Sequence, residues 1–125
     1  MKFLHSMIRV KDIEKSLSFY KNLLNLKLSR KIRLEDCTLY YLKDEITGIE
    51  IELTANDETP IIGYTNGNAF GHFAFEVENM KDVEKLVEKH GYKWLYEPFY
   101  MDEVKTQIAF IKDPDGNEIE FIEKL

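Results

Sequence analysis

Two histidines and two glutamates in this chain of 125 residues occupy matching places in a repeated pattern. His5 opens one stretch of alternating character, and His72 opens another, GHFAFEV at Gly71 to Val77, 67 positions later. Glu52 closes Gly48-Ile-Glu-Ile-Glu52 and Glu120 closes Gly116-Asn-Glu-Ile-Glu120, 68 positions apart. A single histidine on a strand is usually an ordinary surface or core residue. Random placement, however, has no reason to put a His and a Glu at equivalent points of two copies of one unit. Two neutral imidazoles with two carboxylates suit a divalent transition metal, because the carboxylates offset its charge and the imidazole nitrogens bind it well. Structural zinc sites are usually closed and rich in Cys, whereas a set of two nitrogens and two oxygens without thiolates more often keeps positions open for water or substrate. That arrangement supports proton removal α to a carbonyl. The ion stabilises negative charge that a free carboxylate, with a pKa of about 4.3, would not generate unaided.

The elements that must carry these residues follow from periodicity. Residues 3–10 alternate as a strand, with His5, Met7 and Arg9 on one face. Asp12 caps a predicted helix over about 13–25, whose Ile13, Leu17, Tyr20, Leu23 and Leu24 fall on one stripe. Strand-like runs follow at 27–32, 38–43 and 48–54, and residues 55–70, rich in Asn, Gly and Asp, read as a surface linker. The order then repeats: a strand at 71–77, a helix begun by Asn79 and stopped by Gly91, and strands near 93–97, 106–111 and 118–122. The predicted class is α+β: two βαβββ modules, about 1–56 and 70–125, forming one domain of curved mixed sheets with a shared concave metal site.

Alternation assigns the faces. Ile49, Ile51 and Leu53 oppose Glu50, Glu52 and Thr54; Phe73, Phe75 and Val77 oppose His72, Ala74 and Glu76; Ile119 and Phe121 oppose Glu118 and Glu120. The apolar sets belong under the helices, so the His and Glu sets belong on the concave side. Phe70, Phe73, Phe75, Phe99 and Phe110 read mostly as core, with a few walling the pocket. His90, just before Gly91, reads as a residue of the helix C-terminus and not a ligand.

Composition narrows the classes of function. The length allows a core that buries roughly two thirds of the unfolded surface without disulfides, and 44% apolar residues set a disordered reading aside. A net charge of −6 argues against nucleic acid and anionic membranes as partners. The opening MKFLHSMIRV is interrupted by His5 and Arg9, so no signal peptide or membrane span is expected, and the cytoplasm is the expected location. Cys37 is the sole cysteine, which suits a reducing compartment and gives only weak support for a nucleophile.

Further short motifs carry a resemblance: Leu4-His5-Ser-Met-Ile-Arg9-Val, Ser18-Phe19-Tyr20, Ile51-Glu52-Leu-Thr54, Gly71-His72, Ile108-Ala-Phe110, Lys112-Asp-Pro-Asp-Gly116 and Ile119-Glu120. Together they resemble glyoxalase I, the lactoylglutathione lyases of the vicinal-oxygen-chelate superfamily, over nearly the whole chain. The resemblance implies His5, Glu52, His72 and Glu120 as ligands of one metal, nickel or cobalt in preference to zinc. It implies that Glu120, with Glu52, shuttles a proton from C1 to C2 of the hemithioacetal of methylglyoxal and a thiol. It also implies a homodimer, each site taking His5 and Glu52 from one chain and His72 and Glu120 from the other. Arg9 and Asn56 match positions that hold glutathione. The chain departs from the family at Ala55-Asn56-Asp57-Glu58 and at Tyr100-Met-Asp102-Glu103-Val-Lys105, where the acidic pair would repel a thiol carboxylate unless Lys105 replaces the missing charge. Rivals on the same scaffold are an acyl-CoA epimerase, which usually carries Gln at the place of Glu52, and a thiol transferase or extradiol dioxygenase, which use two His and one carboxylate. A drug-sequestering binding protein of the superfamily would need no aligned ligands.

Overall fold

β1 (His5–Arg9) begins the first of two units in a computed structural model that describes residues 1–124. The chain divides between Thr65 and Asn66. In the first unit β1 is followed by α1 (Ile13–Leu17), a π-helical segment (Ser18–Leu23), β2 (Lys27–Arg33), β3 (Cys37–Lys43) and β4 (Glu50–Asn56). The sheet runs β1-β4-β3-β2. β1 and β4 are parallel, with His5 opposite Glu50 and Met7 opposite Glu52, while β4, β3 and β2 pair antiparallel. The parallel pair needs the intervening helix and hairpin as its crossover.

The second unit repeats the order. β5 (His72–Glu76), α2 (Met80–Lys89), β6 (Trp94–Met101), β7 (Thr106–Lys112) and β8 (Glu118–Lys124) form a sheet in the order β5-β8-β7-β6. β5 and β8 are parallel, with His72 opposite Glu118 and Ala74 opposite Glu120. The βαβββ pattern expected from periodicity is therefore present twice.

Each helix is placed by its ends. The Asp12 carboxylate accepts from the Lys15 backbone N–H at 3.2 Å, and the Asn79 side chain accepts from that of Lys81 at 2.9 Å, satisfying donors left open at a helix start. α2 lies against β8, and the Met80 backbone N–H donates to Glu123 at 2.7 Å. Gly91, at φ +73°, closes α2 in the left-handed region, with His90 as its cap. In the first unit the core comprises Val10, Phe19, Tyr20, Leu23, Leu42, Ile51 and Leu53; in the second, Met80, Val83, Val87, Ala109, Ile111, Ile119 and Phe121.

Three local features depart from simple periodicity. The first helix changes from α to π register after Leu17, with the Leu24 N–H reaching back five residues to the Phe19 carbonyl. The extra residue per turn brings neighbouring Phe19 and Tyr20 into the core together, their rings 5.0 Å apart and edge-on, where a 3.6-residue stripe included only Tyr20. Leu86, at helical spacing from the buried Val83 and next to the buried Val87 in α2, is 38% exposed. β6 runs past Pro98 to Met101 because it is an edge strand, where a missing N–H leaves no ladder bond unmade. No helix among the described residues is long and apolar enough to cross a membrane.

Candidate active site

The pairing registers bring one His and one Glu together in each unit. In both, the glutamate stands two residues beyond the partner of the histidine, on the same sheet face. His5 Nε2 lies 3.8 Å from Glu52 Oε1, and His72 Nε2 lies 2.9 Å from Glu120 Oε2. The imidazoles are 36% and 42% exposed, whereas the carboxylates are 11% and 13% exposed. Each pair thus has a sunken carboxylate and an imidazole that reaches solvent. Among the described residues no three His, Cys, Asp or Glu side chains gather into one metal cluster.

Sequence reasoning missed the aromatic residue beneath each pair. Tyr41 on β3 is the cross-strand partner of Glu52, and its ring stands edge-on to His5 at 5.6 Å. Phe110 on β7 is the partner of Glu120 and stands edge-on to His72 at 5.5 Å. The neighbouring Glu52 carboxylate, together with burial, pushes the Tyr41 phenol above its usual range. Thr54 Oγ1 also lies 3.5 Å from Glu52 Oε2. Hairpin register held the signal: counting outward from the Asp113-Pro-Asp-Gly116 turn sets Lys112 opposite Glu118 and hence Phe110 opposite Glu120.

The second unit also contains a cleft of about 560 Å³, within the size range of small-molecule sites. Tyr96, Phe99, Met101, Val104, Ile108 and Phe110 wall it, and His72 and Glu120 supply polar groups. Of the five phenylalanines read mostly as core with a few walling the pocket, Phe99 and Phe110 are two that wall it. Phe70 is likewise 37% exposed, its ring edge-on to Phe73. The physical reason at Phe99 is irregular pairing. Register shifts on β6 set Tyr96 opposite Phe110 and Phe99 opposite Ile108, so residues three apart face one side despite the usual alternation.

Arg9 is exposed on the His5 face of β1, and Asn56 continues the Glu52 face of β4. The Asn56 amide donates to the Tyr64 hydroxyl at 2.9 Å, a partner that sequence reasoning did not supply. Nearby, the Ser29 hydroxyl and the Arg30 guanidinium hold the Glu50 carboxyl below its usual range. Cys37 is buried, and burial pushes its thiol up, away from the reactive thiolate.

The chain matches the Glyoxalase/Bleomycin resistance protein/Dioxygenase superfamily over residues 2–121, and it belongs to that family. Within it, the similarity extends to proteins of one named activity. It is 41% identical to the lactoylglutathione lyase of Neisseria meningitidis serogroup A, across 99% of this chain and 91% of that protein. Among solved structures, the trypanothione-dependent glyoxalase I of Leishmania major superposes with a TM-score of 0.80 at 33% identity, covering 99% of this chain and 87% of the other. Glyoxalase I of Zea mays gives 0.83 at 32% identity, covering 98% of this chain and 44% of the plant protein.

Proposed function

We propose that this chain catalyses the lactoylglutathione lyase reaction, converting the hemithioacetal of methylglyoxal and glutathione, or another thiol, into an S-lactoyl thioester. The observation that carries this reading is the His72–Glu120 pair, 2.9 Å apart and lining a largely apolar cleft. The full-length similarity to lactoylglutathione lyases supports it.

The donor chemistry fits a divalent ion. Each unit offers an imidazole Nε2 and a carboxylate on one sheet face, and the four together are two nitrogens and two oxygens, suited to nickel, cobalt or zinc. In this reading His5, Glu52, His72 and Glu120 hold one metal, with nickel or cobalt favoured. When bound, the ion supplies Lewis-acid stabilisation of charge developing on the substrate oxygens. Glu120 takes the proton from C1 of the hemithioacetal and returns it to C2; the C1 hydroxyl gives up its proton to become the thioester carbonyl, and the C2 carbonyl oxygen takes one up to become a hydroxyl. Glu52 is the second carboxylate of this machinery. The aromatic and aliphatic walls keep bulk water from the reacting carbons.

Arg9 is positioned on the His5 face to pair with a carboxylate of the thiol, and Asn56 to bind its amides. The two modules form a single domain. A homodimer completes the sites, each taking His5 and Glu52 from one chain and His72 and Glu120 from the other, in the cytoplasm. Asp102 to Lys105 turn between β6 and β7, beside the cleft residues Met101 and Thr106, so the acidic pair there bears on which thiol is accepted.

The test is thioester formation from methylglyoxal and glutathione by metal-stripped protein given nickel, cobalt, zinc or no metal. Turnover restored by metal is expected. Metal binding without turnover on glutathione, other thiols or acyl-CoA substrates would defeat the isomerase reading.

A further inference from the structure

Thr106 begins β7 and is the partner of Met101 on β6 and of Lys124 on β8. It is 8% exposed, and among the described residues its Oγ1 is the one buried side-chain oxygen or nitrogen with no hydrogen-bond partner. A buried hydroxyl left unpaired destabilises a fold, and native chains rarely keep one without a use for it. Thr106 borders the cleft of the second unit. A group lying in the cleft is therefore the partner within its reach, after at most one staggered step about the Cα–Cβ bond.

The place of Thr106 on the strand says which part of a bound molecule it meets. Thr106, Ile108 and Phe110 alternate on one face of β7, and Phe110 is opposite Glu120. Thr106 is four residues, about 13 Å, along the strand from the level of Glu120. Ile108, Ile122 and Phe99 lie between and carry no polar side-chain atom. With the reacting carbons at Glu120, the hydroxyl is beyond the dicarbonyl part of the substrate and meets the tail of the thiol. Three residues of extended chain reach about 10 Å, and the side chains at either end cover the remainder.

The charges around Thr106 select the group. Asp102 and Glu103, both exposed, stand in the turn that precedes it, with Lys105 as the one cation of that turn. The Lys124 ammonium is already paired with Glu76 at 2.9 Å. A carboxylate is repelled there, whereas an amide can donate to the hydroxyl or accept from it. We propose that Thr106 is a specificity-determining residue whose hydroxyl bonds an amide in the tail of a peptide-length thiol. The assignment rests on the lyase reading above for what the cleft holds.

The test uses S-methylglutathione, which cannot form a hemithioacetal, titrated by calorimetry into the full chain and its Thr106 variants. Thr106→Val keeps the shape and removes the hydroxyl. Its affinity should fall about 3- to 12-fold, while its melting temperature without ligand rises because the unpaired hydroxyl is gone. Thr106→Ser keeps the hydroxyl and should retain wild-type affinity. Equal affinity in the valine variant, or an equal loss in both variants, would overturn the role of the hydroxyl. So would a lower melting temperature in the valine variant, which would show the hydroxyl to be paired within the protein. A wild type that binds no S-methylglutathione would overturn the proposal as a whole. Binding with the expected variant pattern but no thioester with any metal would instead overturn the lyase reading and leave Thr106 assigned to the thiol tail.

Discussion

At the scale of single residues, Glu120 differs from the other proposed ligands in combining a carboxylate 13% exposed, a histidine at 2.9 Å and a place in the wall of an apolar cleft. A general base in such a position contributes about 10²- to 10⁴-fold to rate. Glu120→Gln keeps size and hydrogen-bonding capacity but cannot accept the proton, so kcat should fall by at least about 10²-fold while circular dichroism still reports the folded chain. Full activity in that variant would remove Glu120 from the mechanism. Its identity and repeat position were legible in the sequence. The 2.9 Å contact was not, because separation between side chains on paired strands depends on rotamers as well as register.

At the scale of elements, the two sheets are built alike but finished differently. β2 is exposed along its length and is tied near its end by Arg33, whose guanidinium meets both carboxylate oxygens of Asp57 just beyond β4, at 2.6 and 2.5 Å. That hydrogen-bonded pair holds the Asp57 carboxyl below its ordinary 3.8. A carboxyl depressed in the folded state favours folding above its unfolded pKa and loses that contribution as pH falls through the folded value. The contribution is accordingly present at neutral pH and disappears in acid, below about 3.8. Arg33→Gln should raise the Asp57 midpoint towards 3.8, read by NMR titration of its carboxyl carbon. Because the pair is exposed, neutral-pH stability should change little. An unmoved midpoint would show that Arg33 does not set it.

At the scale of the whole molecule, one chain carries one His–Glu pair in each of two units, and the proposed four-ligand site needs a pair of each kind. The proposed homodimer has a quantitative consequence. His5→Ala and His72→Ala should each be inactive alone. If sites take one pair from each chain, subunit exchange makes half the dimers mixed, and each mixed dimer contains one intact site and one lacking both histidines. Mixing equal amounts should therefore restore roughly a quarter of wild-type activity. Restoration should require exchange and vanish if the variants are combined without it. Sites assembled within single chains would show no recovery at any mixing ratio.

The repeated βαβββ order was legible because it is written in local pattern: alternation at His5–Arg9 and His72–Glu76, caps at Asp12 and Asn79, and Gly91 at a left-handed stop. The His and Glu face was legible for the same reason, since neighbours along a strand point to opposite sides. What interrupts a period was hidden. The π register that buries Phe19 beside Tyr20, and the irregular pairing of β6 that turns Tyr96 and Phe99 to one face, shift side chains by one position without an unambiguous sequence mark. Cross-strand register alone decides that Tyr41 meets Glu52 and Phe110 meets Glu120. The sequence by itself determined the fold class and the four residues to watch, because strand and helix periods act over a few neighbours. Tertiary structure decided which aromatic ring stands under each pair, because those contacts join residues on different strands through register and rotamer.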